Sequence, residues 1–340
     1  MRKTIILILT AATLFASCVH EEYPAGETNQ ETFESLWQLI DEHYCFFPYK
    51  AQTIGLDWDE VHARYSPLIN EKMSDTQLFE VCCNMLSELR DGHVNLSSGY
   101  DVGRYWNFWQ DYPQNLNDSI LRCYLGNDYH IASGLDYTIL PDNVGYVRCE
   151  SFSTPIGNGN ISDMFIMLAT TDGIIIDVRG NGGGELTYSD RLASHLLQTR
   201  RLTGYIYHKT GKGHSDFSAP EPVYLDPSSG IRWSKPAVIL TNRQCYSATN
   251  DFVKNVKGLD NITILGDTTG GGAGMPMSLE ISNGWGVRYS AVVFEDADHH
   301  HTEFGIAPDT VVTLLQSDLL KKRDTLIEAA RQLINDKRKK

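Results

Sequence analysis

The sequence has 340 residues, a net charge of −14 and 41% hydrophobic residues. That length suits one large domain or a small domain joined to a larger one, and the apolar fraction is that of a soluble globular chain. The acidity argues against nucleic acid as a partner, since phosphate contacts need basic patches, and is better read as solubility than as function.

Arg2 and Lys3 form a basic head, followed by an almost wholly apolar stretch over 4–15 and then Ala16, Ser17 and Cys18. A basic head, a short apolar run and a small-residue cleavage site make a secretory signal over 1–17, and the run is short for a bilayer span. Phe15-Ala16-Ser17-Cys18 resembles the bacterial lipobox, with Phe15 where Leu is usual. The resemblance implies that Cys18 carries lipid and becomes the first mature residue; the alternative is an ordinary signal in which Cys18 is incidental. Residues 18–30 then read as a flexible tether. No later segment is apolar for long enough to cross a membrane, so membrane contact is expected through the N-terminal lipid only. Cys45, Cys82, Cys83, Cys123, Cys149 and Cys245 show no C-x-x-C pair and no zinc ligand set. Most lie in apolar contexts that suit buried thiols.

A helical subdomain is expected over 31–96. Phe33, Leu36, Trp37, Ile40 and Tyr44 recur at helical spacing behind a Thr28-x-x-Glu31 capping box. A weaker helix is predicted over 57–69. A third starts at Ser74-x-x-Gln77 and carries Leu78, Val81, Cys82, Met85, Leu86 and Leu89, with Gly92 breaking it just before His93. Residues 97–142, rich in Tyr, Trp and Asn, are expected to hold short connecting strands and loops.

From 143 to 340 strands and helices alternate, which implies α/β crossover units. Strands are predicted at 144–149, 173–178, 237–240 and 262–265, with helices at 161–170, 186–197 and from Ser247 to about Val256. Asn283-Gly284 between two strand-like runs signals a type I′ hairpin. An amphipathic helix over about 317–337 closes the chain.

Ser247 lies between a buried strand and the start of a helix. There the unpaired N–H groups and the positive end of the helix dipole favour an alkoxide or its tetrahedral adduct. The ordinary role of such a serine is to cap the helix. A second feature is the buried strand 174–178 that ends in Gly180-Asn181-Gly182-Gly183-Gly184. Its exposed N–H groups could line an oxyanion site, or the turn could be a tight connection only. It has neither the Gly-Lys-Ser/Thr of a P-loop nor the order of a dinucleotide fold, and no cofactor is called for.

Asp177-Val178-Arg179-Gly180-Asn181-Gly182-Gly183-Gly184 resembles the D-L-R-x-N-x-G-G signature of the tail-specific protease and tricorn-core serine peptidase family. Pro236 to Asn242, Tyr246-Ser247-Ala248, Gly266-Asp267-Thr268-Thr269-Gly270-Gly271 and Gly305-Ile306-Ala307-Pro308-Asp309 follow in the family's order. The resemblance implies a crotonase-like (ClpP-like) β/α core and a peptide or protein substrate. It makes Ser247 the nucleophile, with the N–H groups of Ala248 and of Gly183, or a neighbouring glycine, as oxyanion donors.

The tail-specific branch uses a Ser/Lys dyad with its lysine in G-K-G, but Gly271-Gly272-Ala273 stands there and no lysine occurs between Lys257 and Lys321. The tricorn-like branch takes a histidine from an upstream helical region and a glutamate near G-I-x-P-D. His93, in Leu89-Arg90-Asp91-Gly92-His93, matches the first, and Glu303 is the best candidate for the second, with Glu295 competing. In that scheme His93 accepts the Ser247 proton and Glu303 orients the imidazolium. Three positions depart from the family: Asn250 in place of Glu, Gly92 in place of Ser, and Glu303 two rather than three residues before Gly305. His299-His300-His301 reads as a polar loop, because three adjacent histidines cannot all face one ion. A non-catalytic binding protein or an inactive scaffold on the same fold is the alternative to an enzyme. The sequence leaves oligomeric state open.

Overall fold

A reciprocal pair of hydrogen bonds opens the described chain. Thr28 Oγ1 accepts the Glu31 N–H at 3.2 Å, and the Glu31 carboxylate accepts the Thr28 N–H at 3.0 Å. They start helix α1 (Asn29–His43), as the capping-box pattern predicts. The computed structural model describes residues 28–281 and 283–338. The signal-like segment 1–17, Cys18 and most of the expected tether lie outside these residues.

Helices α2 (Phe47–Ile54), α3 (Trp58–Tyr65) and α4 (Asp75–Ser87) follow α1. A 3-10 turn over Ser66–Leu68 takes the place of the end of the predicted 57–69 helix, since Pro67 has no N–H with which to extend it. Strands β1 (Asn95–Ser97) and β2 (Val102–Arg104) come next, then short helices α5 (Asn107–Gln110) and α6 (Asp118–Leu125). Strands β3 (His130–Ala132), β4 (Leu135–Ile139) and β5 (Val144–Cys149) lead to α7 (Asn158–Leu168), β6 (Gly173–Asp177) and α8 (Leu186–Ser194). Then come β7 (Arg201–His208), β8 (Glu221–Leu225), β9 (Ala237–Thr241), α9 (Ala248–Val256) and β10 (Ile262–Gly266). Strands β11 (Gly274–Glu280), β12 (Gly286–Glu295) and β13 (Thr310–Val311) precede α10 (Gln316–Leu319) and α11 (Thr325–Arg338).

One sheet has the order β13-β10-β9-β6-β5-β4-β3, parallel from β13 to β5 and antiparallel beyond. Side chains alternate across it. Ile174, Ile176 and Ile239 pack under α7, α8 and α9, while Ile175, Val238 and Leu240 pack against α6 and α11. Both faces are covered, which is why these strands read as unbroken apolar runs. The other sheet runs β2-β1-β12-β7-β8, with β11 also paired to β12. Residues of α1 to α4 form a separate core on it, with Leu36, Ile40, Leu86, Leu96, Val287 and Tyr289 among its members.

Two predicted details are corrected. Ile281 N–H bonds to the Trp285 carbonyl at 2.9 Å, so three residues rather than two lie inside the hydrogen bond that closes the β11–β12 turn. Gly284 has φ 82, but its N–H bonds to the Ile281 carbonyl at 2.9 Å, so Asn283 and Gly284 are not the two central residues of the turn, as a type I′ hairpin would have them. The closing helix is not continuous either. Lys322 adopts φ 57, and the buried Asp324 accepts the N–H groups of Leu326 and Ile327 at 3.0 Å to begin α11 afresh. Among the described residues all six cysteines are free thiols.

Candidate active site

The chain leaves β9 and turns through Asn242 to Tyr246 before entering α9, and Ser247 is the junction. Its backbone is at φ 57, ψ −122, a region that side-chain-bearing residues avoid at a cost of about 1–3 kcal/mol. Such strain lifts a nucleophile's hydroxyl off a strand-to-helix turn. The turn is over-determined by its neighbours: Ser247 N–H donates to the Gly271 carbonyl at 2.9 Å and Asp251 N–H to the Ser247 carbonyl at 2.9 Å. The Ser247 hydroxyl makes no capping hydrogen bond to α9. It opens instead into a cavity of about 390 Å³ that Gly184, Gly272 to Met275, Arg288 and Thr302 help to line.

The glycine turn lies directly against this serine. A β-carbon on Gly183 would fall 2.9 Å from Ser247 Cβ and 2.7 Å from the Tyr246 carbonyl, so only glycine fits. Its φ of 102 makes the same demand. The expectation that Gly183 donates to an oxyanion is corrected, because its N–H is bonded to Asn181 Oδ1 at 2.9 Å. The Gly184 N–H and the Ala248 N–H donate no hydrogen bond among the described residues. Gly184 lines the cavity. Asn181 and Asn242 hold the turn through side-chain bonds to Cys149 O, Gly180 N–H and Gln114 O. Beneath it, Arg179 is wholly buried and chelated by Asp177 and Asp324.

His93 comes from the other sheet, two residues ahead of β1. Its ring is 2% exposed and packs edge-on to Tyr246, with centroids 5.0 Å apart. Burial pushes the imidazole down to about 4, against the pull of Asp91, so it is neutral and able to accept a proton at neutral pH. Its Nδ1 has no partner. Asp91 is the hub below: it accepts from His93 N–H at 2.7 Å, Ser290 Oγ at 2.8 Å and Tyr44 OH at 3.1 Å. Helix α4 stops well before Gly92, and the left-handed residue is Arg90, φ 49. Gly92 is small for another reason: a β-carbon there would lie 2.7 Å from the Phe108 ring and 2.9 Å from Tyr246 OH. Those rings fill the space where a serine side chain would go.

Glu303 is buried, as the site requires, but it does not meet the imidazole. Its Oε1 accepts from Lys50 Nζ at 2.9 Å and its Oε2 from Ala273 N–H at 2.9 Å. The direct orienting contact expected from the resemblance is therefore not formed, because a lysine from α2 takes the carboxylate. Burial and then the charge of Asp91 push Glu303 up to about 7, and Lys50 only partly offsets them. Asn250 works as a buried clamp. Its Nδ2 donates to the Thr302 carbonyl at 3.1 Å and its Oδ1 accepts from Thr269 Oγ1 at 2.6 Å. Glu295 is bonded to Tyr207 and paired with His299 and His301, so it faces the histidine loop. Lys50 and Asp91 were not singled out by the sequence reading, although Asp91 stands inside the same short motif as His93.

The fold and the junction serine define an α/β core of the crotonase-like kind, joined to an N-terminal helical unit. The chain belongs to peptidase family S41: that family's model matches residues 143–312, and the tricorn protease C1 domain matches 26–87. It is 48% identical to a candidate peptidase from Parabacteroides merdae ATCC 43184, over 90% of this chain and 96% of that one, with a TM-score of 0.86. Mature CPAF shares the fold at 12% identity, a TM-score of 0.70 and coverage of 91% and 98%. A carboxyl-terminal-processing protease from Synechocystis is 27% identical over 185 residues, 54% of this chain and 41% of that protein. The chain thus spans less than half the length of that curated relative.

Proposed function

We propose that the protein is a serine peptidase in which Ser247 attacks the peptide carbonyl and His93 takes its proton. The observation that carries this reading is Ser247 itself: a strained residue at the head of a helix, its hydroxyl unused as a cap and open to a cavity. Ala248 and Gly184 supply the N–H pair for the oxyanion, which forms at the positive end of α9. His93 returns the proton to the leaving amine. Glu303 acts at one remove, by holding Ala273 in the loop beside both groups. The substrate is a peptide or protein, and no cofactor takes part.

The reading extends to the cell. A signal over 1–17 sends the chain into the envelope of a bacterium, and lipid at Cys18 anchors it to a membrane. Residues 31–96 form the helical subdomain, 97–142 the connection and 143–340 the peptidase core. Among the described residues no helix is long and apolar enough to cross a membrane.

Two observations favour an inactive scaffold or binding protein: the His93 Nδ1 has no partner, and Glu303 is held by Lys50. A fluorophosphonate probe separates the readings. The purified protein is expected to label covalently and the Ser247→Ala variant not to. Equal, poor labelling of the two would leave the scaffold.

A further inference from the structure

Lys50 reaches the centre from α2, and its side chain is fully buried. An ammonium in such a place is costly to desolvate unless every donor has good work to do. Nζ donates to Glu303 Oε1 at 2.9 Å and to the Arg90 carbonyl at 3.3 Å, and lies 4.1 Å from the centre of the Phe304 ring. These two acceptors sit on different segments of the site.

Glu303 governs the first segment. Besides the bond from Ala273 N–H, its carbonyl accepts the Gly272 N–H at 3.0 Å. A β-carbon on Gly271 would lie 1.8 Å from that same carbonyl, so the two strands of chain are in direct contact. One end of the glycine segment accepts the Ser247 N–H through the Gly271 carbonyl; the other end, Gly274, lies against Ser290, whose hydroxyl bonds the same Asp91 carboxylate that accepts the His93 N–H. Arg90 governs the second segment, being three residues ahead of His93 in a left-handed turn.

We propose that Lys50 is a positioning residue of the catalytic centre: by clamping Glu303 to the Arg90 carbonyl, it fixes the Gly271-to-Gly274 segment against Ser247 and His93 together. The inference rests on the Ser247–His93 reading above. Lys50 is not a substitute for a dyad lysine, since both of its hydrogen bonds go to the clamp.

The test compares wild type, Lys50→Met and the double variant Lys50→Met/Glu303→Gln, by the rate of fluorophosphonate labelling and by melting temperature. The single variant leaves a buried carboxyl without its cation. The double variant removes both charges and is expected to melt within about 4 °C of wild type. Labelling of that folded double variant is expected to slow by on the order of tenfold to a hundredfold, because the centre is misplaced rather than unfolded. A wild-type rate in the folded double variant overturns the proposal. The pH profile of labelling is an independent check. Burial and the Asp91 charge raise Glu303 while Lys50 lowers it, so Lys50→Met should move the acid limb of the labelling profile upward in pH. A limb that Lys50→Met leaves where it was would overturn the proposal as well. Wild type that labels no faster than Ser247→Ala removes the hydrolase reading itself, a different failure.

Discussion

The α-carbon of Gly183 rests on the β-carbon of Ser247, so closely that a methyl group on the glycine would stand 2.9 Å from it. The two residues come from different crossover units of the parallel sheet, and the contact locks the turn after β6 to the turn after β9. Under the proposed mechanism, Gly183→Ala is expected to lower fluorophosphonate labelling by on the order of a hundredfold, since the intruding carbon must push Ser247 or the Ala248 N–H aside. Labelling at the wild-type rate would mean that the two turns are free to separate.

Ser247 holds its φ of 57 against the preference of any residue with a side chain. Ser247→Gly removes that strain, about 1–3 kcal/mol, and gives back roughly 0.5–1 kcal/mol of backbone entropy. The variant should therefore be inactive yet slightly more stable than wild type in urea unfolding, by about 1 kcal/mol. Ser247→Ala should be equally inactive without the gain. A glycine variant clearly less stable than the alanine variant would show that the turn is unstrained.

Asn250 cannot be exchanged for an acid at no cost. In Asn250→Asp an oxygen replaces Nδ2 and faces the Thr302 carbonyl, 3.1 Å away in the present structure. At pH 7 this buries an unpaired charge, and a loss of about 2–3 kcal/mol is expected. The aspartate will have its folded-state pKa raised above its unfolded value, so its penalty shrinks as pH falls toward the unfolded carboxyl range. Thermal melts should show the gap between variant and wild type narrowing from pH 7 to pH 4. A gap that does not depend on pH would rule out the carboxylate as its cause.

Arg179 uses three nitrogens at once. Nε and Nη2 meet Asp177, while Nη1 meets Asp324 and the Asn115 carbonyl. A lysine has one charged nitrogen and cannot span these partners. Arg179→Lys should lose roughly 3 kcal/mol, because one of the two buried carboxylates is left without its cation. Equilibrium unfolding measures this directly, and a loss below about 1 kcal/mol would show that solvent reaches the network.

Much of the core was legible from sequence because burial on both faces leaves a plain trace. The runs at 144–149, 174–178 and 237–240 are strands β5, β6 and β9, and the junction serine follows from them. Other features leave no such trace. Helix α2 has only two turns, too few for a period to emerge, so Lys50 reads as a lone cation in an apolar stretch. Its partner Glu303 is 253 residues further on, and nothing local announces the pair. The Asn283-Gly284 signal failed because the hydrogen bond between Ile281 and Trp285 sets the loop at three residues, whatever the dipeptide prefers. The long predicted C-terminal helix failed because Asp324, chelated by Arg179, makes a new start that outweighs continuous periodicity.

His93 hangs from the sheet that carries the N-terminal helices, whereas Ser247 hangs from the parallel sheet. Each sheet has a hydrophobic core of its own. In the proposed centre neither sheet carries both groups, so the pair exists only where the two sheets are docked. Parting the two sheets would therefore separate the proposed pair even with each sheet's own core left intact.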